Sequence, residues 1–329
     1  MLEKELVTVC ITTYNRKEML NRAVESVLAQ TYPYFELVIV DDCSSDGTEE
    51  YVQKELLNRD KRIQYIRHKV NRGLAVARNT AIFNSKGVYF TFVDDDDRWN
   101  EHYLEDFVAV ANNYDDQWCF CCGSITKDLI GQTVYANYNS LEGSLLDYIQ
   151  KGYTPPIASQ FYFTAALQQC GGYNEKIKNG VDHDLWLTLA FRGSKIKSVD
   201  KYLSLPSEVI DVSRAKMTNS YQKRINGITK SLDVWKPQLV AHFGESYFQK
   251  FKEAYLIREK KKFFRMYVLK LQLKEALVLY REVSEEISPK EIVKSLSIAL
   301  LLKLSISVKR EKYIIRGSSL KIKLSTVNA

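Results

Sequence analysis

A chain of 329 residues, 45% hydrophobic and 26% charged, is globular and long enough for one large domain or for an ordinary domain with an appendage. Its 14 Gly and 6 Pro exclude a low-complexity linker or a collagen-like repeat, and no run of 18 apolar residues is present. The net charge of +7 is uneven, because residues 251–329 hold 18 Lys/Arg against 8 Asp/Glu and the remainder holds 29 against 32.

That basic tail on a near-neutral body points to an acidic partner surface, for which nucleic acid and anionic lipid both qualify. The start, Met1-Leu2-Glu3-Lys4-Glu5, lacks the apolar core of a signal peptide, so a cytoplasmic location is expected. Six cysteines (Cys10, Cys43, Cys119, Cys121, Cys122, Cys170) show no second ligand pair at zinc spacing and are expected to fill the core.

In chain order, Leu6–Thr12 is a short β-branched run that reads as a buried strand. Arg16–Gln30 carries helical spacing through Leu20, Ala23, Val24, Val27 and Leu28. A second strand, Phe35–Val40, runs into Asp41-Asp42, and the turn Cys43-Ser44-Ser45-Asp46-Gly47 leads to a helix with Thr48 as its expected N-cap. Ile63–Arg67 is a third strand, Leu74–Ser85 a helix, and Val88–Val93 a fourth strand ending in Asp94-Asp95-Asp96-Asp97. Helices are expected near Tyr103–Asn112 and Asp184–Phe191, with strands around Trp118–Ile125 and Gln160–Phe163; beyond about residue 215 the pattern is wholly helical and basic.

Strands alternating with helices imply an α/β fold with a mostly parallel sheet, whose ligand lies beyond the carboxyl ends of the strands. Those ends carry Thr12-Thr13-Tyr14-Asn15, Asp41-Asp42 and the four aspartates. Four adjacent carboxylates repel one another unless a cation compensates them, and hard oxygen donors suit Mg²⁺ or Mn²⁺; a solvated acidic turn is the plain alternative. Asp41-Asp42 suits either a base or ribose contact or an Asx-type turn. Asn71-Arg72-Gly73-Leu74-Ala75-Val76-Ala77-Arg78-Asn79 lacks the ending of a P-loop, and its arginines suit either a pyrophosphate or solvent. Asp182 and Asp184 open a helix whose Leu185 and Leu189 share a core face; they suit either helix capping or a general base.

Taken together these segments resemble a family. Val9-Cys10-Ile11-Thr12-Thr13-Tyr14-Asn15-Arg16, Leu37-Val38-Ile39-Val40-Asp41-Asp42-Cys43-Ser44-Ser45-Asp46-Gly47-Thr48, Asn71-Arg72-Gly73 with Ala77-Arg78-Asn79, Phe92-Val93-Asp94-Asp95-Asp96-Asp97, and Gly171-Gly172-Tyr173-Asn174-Glu175 followed by Asp182-His183-Asp184-Leu185-Trp186-Leu187 are similar, in order and spacing, to the motifs of family-2 glycosyltransferases of the GT-A fold. The resemblance covers roughly residues 5–210. Thr12 stands where proline is usual, and Val181 stands where the family has Glu before its base.

The resemblance implies a GT-A catalytic domain over 1–215, with a nucleotide-binding half (1–98) and an acceptor half (99–215), and a helical basic region over 216–329. It implies that Thr12, Tyr14, Asp41, Asn71, Arg78, Asp94 and Asp95 hold a nucleotide-sugar, UDP-linked by family frequency. Asp96, with Asp94 as a further candidate, would hold Mn²⁺ or Mg²⁺, and Asp182, or alternatively Asp184, would be the base of an inverting transfer. The acceptor would be a glycan or undecaprenyl-linked glycan in surface polysaccharide (O-antigen, lipopolysaccharide or capsule) assembly. Lys260-Lys261-Lys262-Phe263-Phe264-Arg265 and Ser295–Val308 with Lys309-Arg310 would dock the protein on the inner face of the cell membrane, or cap the catalytic domain or a second subunit in a homo-oligomer. No nucleic-acid module accompanies the tail. A nucleotidyltransferase would carry a Gly-rich loop after the first strand, where Thr13-Tyr14-Asn15-Arg16 stands; a catalytically inactive, glycosyltransferase-like binding or scaffold protein would lack the aspartates or the base.

Overall fold

In a computed structural model, residues 4–127, 133–137, 140–150, 159–178, 180–205, 221–269, 272–285, 287, 314–316 and 319–321 are described. The strands are β1 (Val7–Thr13), β2 (Phe35–Asp41), β3 (Ile63–Arg67), β4 (Tyr89–Phe92), β5 (Arg98–Trp99), β6 (Trp118–Lys127), β7 (Thr133–Asn137), β8 (Glu142–Ser144), β9 (Gln160–Phe163) and β10 (Lys195–Leu205). They form one sheet in the order β3-β2-β1-β4-β9-β6-β10-β5, with β7 on β6 and β8 on β10. The pairs β1/β2, β2/β3, β1/β4 and β6/β10 are parallel. β9 runs antiparallel between β4 and β6, joining the two halves of the sheet.

β2 is buried at every position and β1 at all but Thr12, as a strand covered on both faces must be; this is why their sequences read as continuous apolar runs rather than alternating ones. The covering helices include α1 (Lys17–Leu28), α2 (Thr48–Tyr51), which continues through a π-helical turn (Val52–Leu56) into α3 (Leu57–Arg59), α4 (Leu74–Asn84) and α5 (Tyr103–Ala111). α1 buries Leu20, Ala23, Val24 and Val27, a stripe at 3- and 4-residue spacing. α6 (Leu145–Gln150), α7 (Thr164–Gln169) and α8 (Val181–Phe191) belong to the second half. Leu185 and Leu189 are buried there, as their spacing predicts.

One local expectation changes. Thr48 is the first residue of α2 rather than its cap. Gly47 precedes it at φ 83, and Thr48 donates from its backbone N–H and its hydroxyl to Asp46 Oδ1 at 3.2 and 2.6 Å. The left-handed turn at Gly47 brings the Asp46 carboxylate to the helix start, where it accepts both bonds.

By contacts the chain divides into two compact units, Met1–Ile210 with Lys312–Ala329, and Asp211–Glu311. In the second unit α9 (Tyr221–Phe243) and α10 (Glu245–Leu269) are joined through Gly244, and α11 (Leu273–Val283) follows. Ile228, Leu232, Trp235 and Leu239 on α9, Phe248 and Tyr255 on α10 are buried, and Arg224 pairs with Glu259 at 3.1 Å in the interior. The tail is not helical throughout. β11 (Ile314–Arg316) and β12 (Ser319–Lys321) pair antiparallel. Residues 295–310, the expected membrane-facing stretch, lie outside the described residues. Among the described residues no helix is long and apolar enough to cross a membrane.

Candidate active site

Three strand ends meet. The ladder continues past the strands, with Asp42 N–H donating to Thr13 O at 2.9 Å and Val93 N–H to Cys10 O at 3.0 Å, so the residues after β1, β2 and β4 lie side by side. A turn closed by Asp97 N–H on Asp94 O at 2.9 Å then splits the four aspartates. Carboxylate oxygens of Asp94, Asp96 and Asp97 lie within 4.8 Å of one another. Three hard oxygen donors converging at a strand end fit a divalent ion such as Mg²⁺ or Mn²⁺.

Asp95 points elsewhere. It accepts from Thr13 Oγ1 at 2.9 Å and Arg16 Nη1 at 2.8 Å, and is 4% exposed. Burial pushes its carboxyl up to about 6, against the lowering effect of Arg16 and Thr13. Asp95, a residue that the resemblance places on the nucleotide-sugar, has both carboxylate oxygens engaged by Thr13 and Arg16 and so braces the turn. Arg16 also stands 3.7 Å from Asp96 Oδ2, so it ties the brace to the cluster.

Asp41 and Asp42 have distinct tasks. Asp41 is fully buried, accepting from Ser44 N–H and Tyr65 Oη at 2.7 Å each, with Arg67 Nε at 3.7 Å. Asp42 accepts from Arg72 N–H at 2.8 Å and Gly73 N–H at 2.7 Å, and its Oδ1 lies 2.8 Å from His68 Nδ1. His68 Nε2 in turn lies 2.9 Å from Thr80 Oγ1 on α4. Asp42 therefore shapes the loop carrying Asn71 and Arg72, a role the sequence reading did not separate from that of Asp41. The Asp41-Asp42 doublet was its visible trace.

At the rim, Asn15 N–H donates to Ser44 Oγ at 2.9 Å and Ser45 N–H to Asn15 Oδ1 at 2.7 Å, stitching the loops after β1 and β2. Tyr14, beside this stitch, is 47% exposed; Asn71 is exposed and Thr12 half-buried.

Arg78 lies in the interior. It is 1% exposed, donating from Nη2 to Asp94 Oδ1 at 2.8 Å and from Nη1 to Asp182 Oδ1 at 2.5 Å. Its guanidinium carbon stands 4.0 Å from the centre of the Phe92 ring. It meets the rest of the site through the two carboxylates rather than on an open surface. Asp182 and Asp184 both lie in the first turn of α8 and are buried. Burial pushes the Asp182 carboxyl up, while Arg78 pulls it down. Among the described residues its Oδ2 has no side-chain partner. α8 is anchored by Trp186, one turn on from Asp182, which donates from Nε1 to Tyr162 Oη on β9 at 3.1 Å.

Residues 8–165 match the sequence model of "Glycosyl transferase family 2". A UDP-Glc:alpha-D-GlcNAc-diphosphoundecaprenol beta-1,3-glucosyltransferase, WfaP, from Escherichia coli is 30% identical over 228 residues, covering 64% of this chain and 82% of that protein.

The chain belongs to glycosyl transferase family 2.

An uncharacterized glycosyltransferase of Rickettsia felis is 32% identical over 216 residues, 62% of this chain and 33% of that one. The putative teichuronic acid biosynthesis glycosyltransferase TuaG of Bacillus subtilis is 42% identical over 102 residues, 31% of this chain and 40% of its own. The match thus spans between a third and two fifths of the length of these two relatives. Among solved structures, S. aureus TarS 1-349 in complex with UDP-GlcNAc superposes with a TM-score of 0.54 at 19% identity, covering 97% of each chain. That likeness establishes the GT-A fold.

Proposed function

We propose that this glycosyltransferase moves a sugar from a UDP-linked donor to a hydroxyl of a glycan or undecaprenyl-linked glycan, with inversion, in surface polysaccharide assembly. The observation that carries the reading is the convergence of Asp94, Asp96 and Asp97 at the strand ends, with Asp182 reached from Asp94 through a single side chain. The donor class is supported by the UDP-GlcNAc complex of TarS and the UDP-Glc donor in the name of WfaP, and the acceptor class by that same name.

Tyr14 would offer its exposed ring to the base, with Thr12, Asp41 and Asn71 around the base and ribose. Asp94, Asp96 and Asp97 would hold Mn²⁺ or Mg²⁺, which when bound neutralises charge developing on the leaving diphosphate. Asp182 Oδ2 takes the proton of the acceptor hydroxyl. The acceptor oxygen bonds to the anomeric carbon as the bond from that carbon to the phosphate oxygen breaks, and UDP leaves. A carboxylate raised by burial is a better proton acceptor than an exposed one, which favours Asp182 in this role. Asp184, one residue past His183 in the same turn, is the alternative.

Residues 1–215 would act as the catalytic domain and 216–329 as a region that docks on the anionic inner leaflet. The basic character of residues 251–329 supports that docking. Lys260 is partly diverted from it by pairing with Glu282 at 2.7 Å.

Calorimetric titration of UDP, GDP and dTDP with and without Mn²⁺, on wild type and Asp96→Ala, tests the reading. Metal-dependent binding of UDP that is lost in the variant supports it. Binding of none of the three favours the inactive scaffold.

A further inference from the structure

We infer that Arg78 is a positioning residue that holds the metal-side carboxylate Asp94 and the base Asp182 on one guanidinium, keeping the two halves of the transfer site at one spacing. The inference rests on the transfer reading above. Arg78 stands on α4, Asp94 follows β4 and Asp182 opens α8, at separations of 16 and 104 residues from Arg78. Asp94 and Asp182 come from elements far apart in sequence, and the guanidinium joins them.

Its geometry suits that task. Nη2 bonds Asp94 Oδ1 at 2.8 Å and Nη1 bonds Asp182 Oδ1 at 2.5 Å, so each terminal nitrogen serves a different carboxylate. The ring centres of Phe92 and Tyr173 lie 4.0 and 5.3 Å from the guanidinium carbon, and Tyr173 Oη lies 3.4 Å from Nη1. A planar cation held by ring faces cannot turn without breaking both carboxylate bonds. Two carboxylates brought together in the interior would otherwise repel, and the single positive charge between them offsets that. At 1% exposure the side chain acts through these partners and not by touching the donor.

The consequence is chemical. The anomeric carbon must lie between the diphosphate, held on the Asp94 side, and the attacking oxygen, held on the Asp182 side. A displacement of about 1 Å in such an arrangement costs roughly 100-fold in rate. Lysine offers its donors from one atom on a flexible stem rather than from two nitrogens set apart on a rigid plane, so it cannot hold the two carboxylates at the spacing the guanidinium fixes.

The test uses the full chain with UDP-glucose or UDP-N-acetylglucosamine, Mn²⁺, and water as the acceptor, following UDP release. The water oxygen bonds to the anomeric carbon, Asp182 takes the proton, and UDP departs. Wild type, Arg78→Lys, Asp182→Asn and the double variant are compared. Arg78→Lys is expected to lower kcat at least about 50-fold while the donor KM and the Mn²⁺–UDP affinity stay within about 3-fold. The double variant is expected within about 2-fold of Asp182→Asn alone, because residues acting as one unit are not additive. Thermal melts confirm folding. Should Arg78→Lys not fold, Arg78→Gln with Asp182→Asn, which removes one charge of each sign, takes its place and is expected to match Asp182→Asn in kcat. Losses that multiply in the double variant overturn the inference alone. So does lost Mn²⁺–UDP affinity with kcat intact, which would make Arg78 a donor ligand. Full kcat in Asp182→Asn, or no UDP release by wild type, overturns the transfer reading and takes the inference with it.

Discussion

Asn79 closes both backbone hydrogen bonds of Tyr173, accepting from its N–H at 2.7 Å and donating to its carbonyl at 2.8 Å. It thereby carries the segment before α8 onto α4, 94 residues earlier in the chain. Gly172 makes the approach feasible: it sits at φ +69, and a Cβ there would lie 2.4 Å from Asn79 Oδ1.

Asn79→Ala leaves a buried N–H and a buried carbonyl without partners. A loss of about 2–4 kcal/mol in unfolding free energy is expected by urea titration. Gly172→Ala should destabilise by a comparable amount, through strain as well as contact. A variant of either kind that melts with wild type would show that the Tyr173 segment is held by other means.

Asp42 organises the loop of Asn71 and Arg72 without being assigned to the ligand itself. In Asp42→Ala the N–H groups of Arg72 and Gly73 and the ring of His68 lose their acceptor. UDP affinity measured by calorimetry is expected to fall about 10-fold or more, at about 1–1.5 kcal/mol for each of the bonds that shape the loop. Unchanged affinity would separate this loop from the donor site.

The four adjacent aspartates are not equivalent, and metal titration distinguishes them. Asp96→Asn is expected to weaken Mn²⁺ binding in the presence of UDP by roughly 100-fold, because a ligand charge is lost. Asp95→Asn keeps one oxygen that accepts from Arg16 and presents an amide N–H that Thr13 Oγ1 can accept, and should change it only a few-fold. Equal losses from the two variants would contradict the inward turn of Asp95.

Asp95 also sets a pH dependence. Its carboxyl rises from its ordinary 3.8 to about 6 on folding, mainly through burial. The folded protein therefore binds this proton more tightly than the unfolded chain. The contribution is complete below about pH 4 and lost as pH rises through about 6, a difference of about 3 kcal/mol. In EDTA, unfolding free energies of wild type should decline across that window more steeply than those of Asp95→Asn. Parallel curves would mean that Asp95 titrates normally.

Burial pushes the thiols of Cys10, Cys119 and Cys122 up to about 12 and raises that of Cys121 well above its ordinary value. Cys43 and Cys170 are partly exposed. At pH 8 a disulfide reagent should modify only these two in the native protein, and all six after denaturation, because the thiolate is the reactive species. Rapid reaction of a third thiol would indicate opening of the sheet.

Strands such as Val7–Thr13 and Phe35–Asp41 were legible because an apolar, β-branched run bounded by polar residues has few other places to go. The aspartates were legible as a candidate site because like charges at the end of a buried strand repel unless something compensates them. The family was legible from five short motifs whose order and spacing carry more information than any one of them. Local pattern therefore determined the fold class and the neighbourhood of the site. It could not determine direction. Within Asp94–Asp97 one hydrogen-bonded turn sends Asp95 inward and gathers the other three, and nothing in four identical letters encodes that difference. The partners of Arg78 are equally absent from local pattern, since only the arrival of Asp182 from α8 and Phe92 from β4 buries it between two carboxylates. Such contacts join residues far apart in sequence, and their free energy depends on burial and on the partner's position, which exist only once the sheet and its helices have assembled.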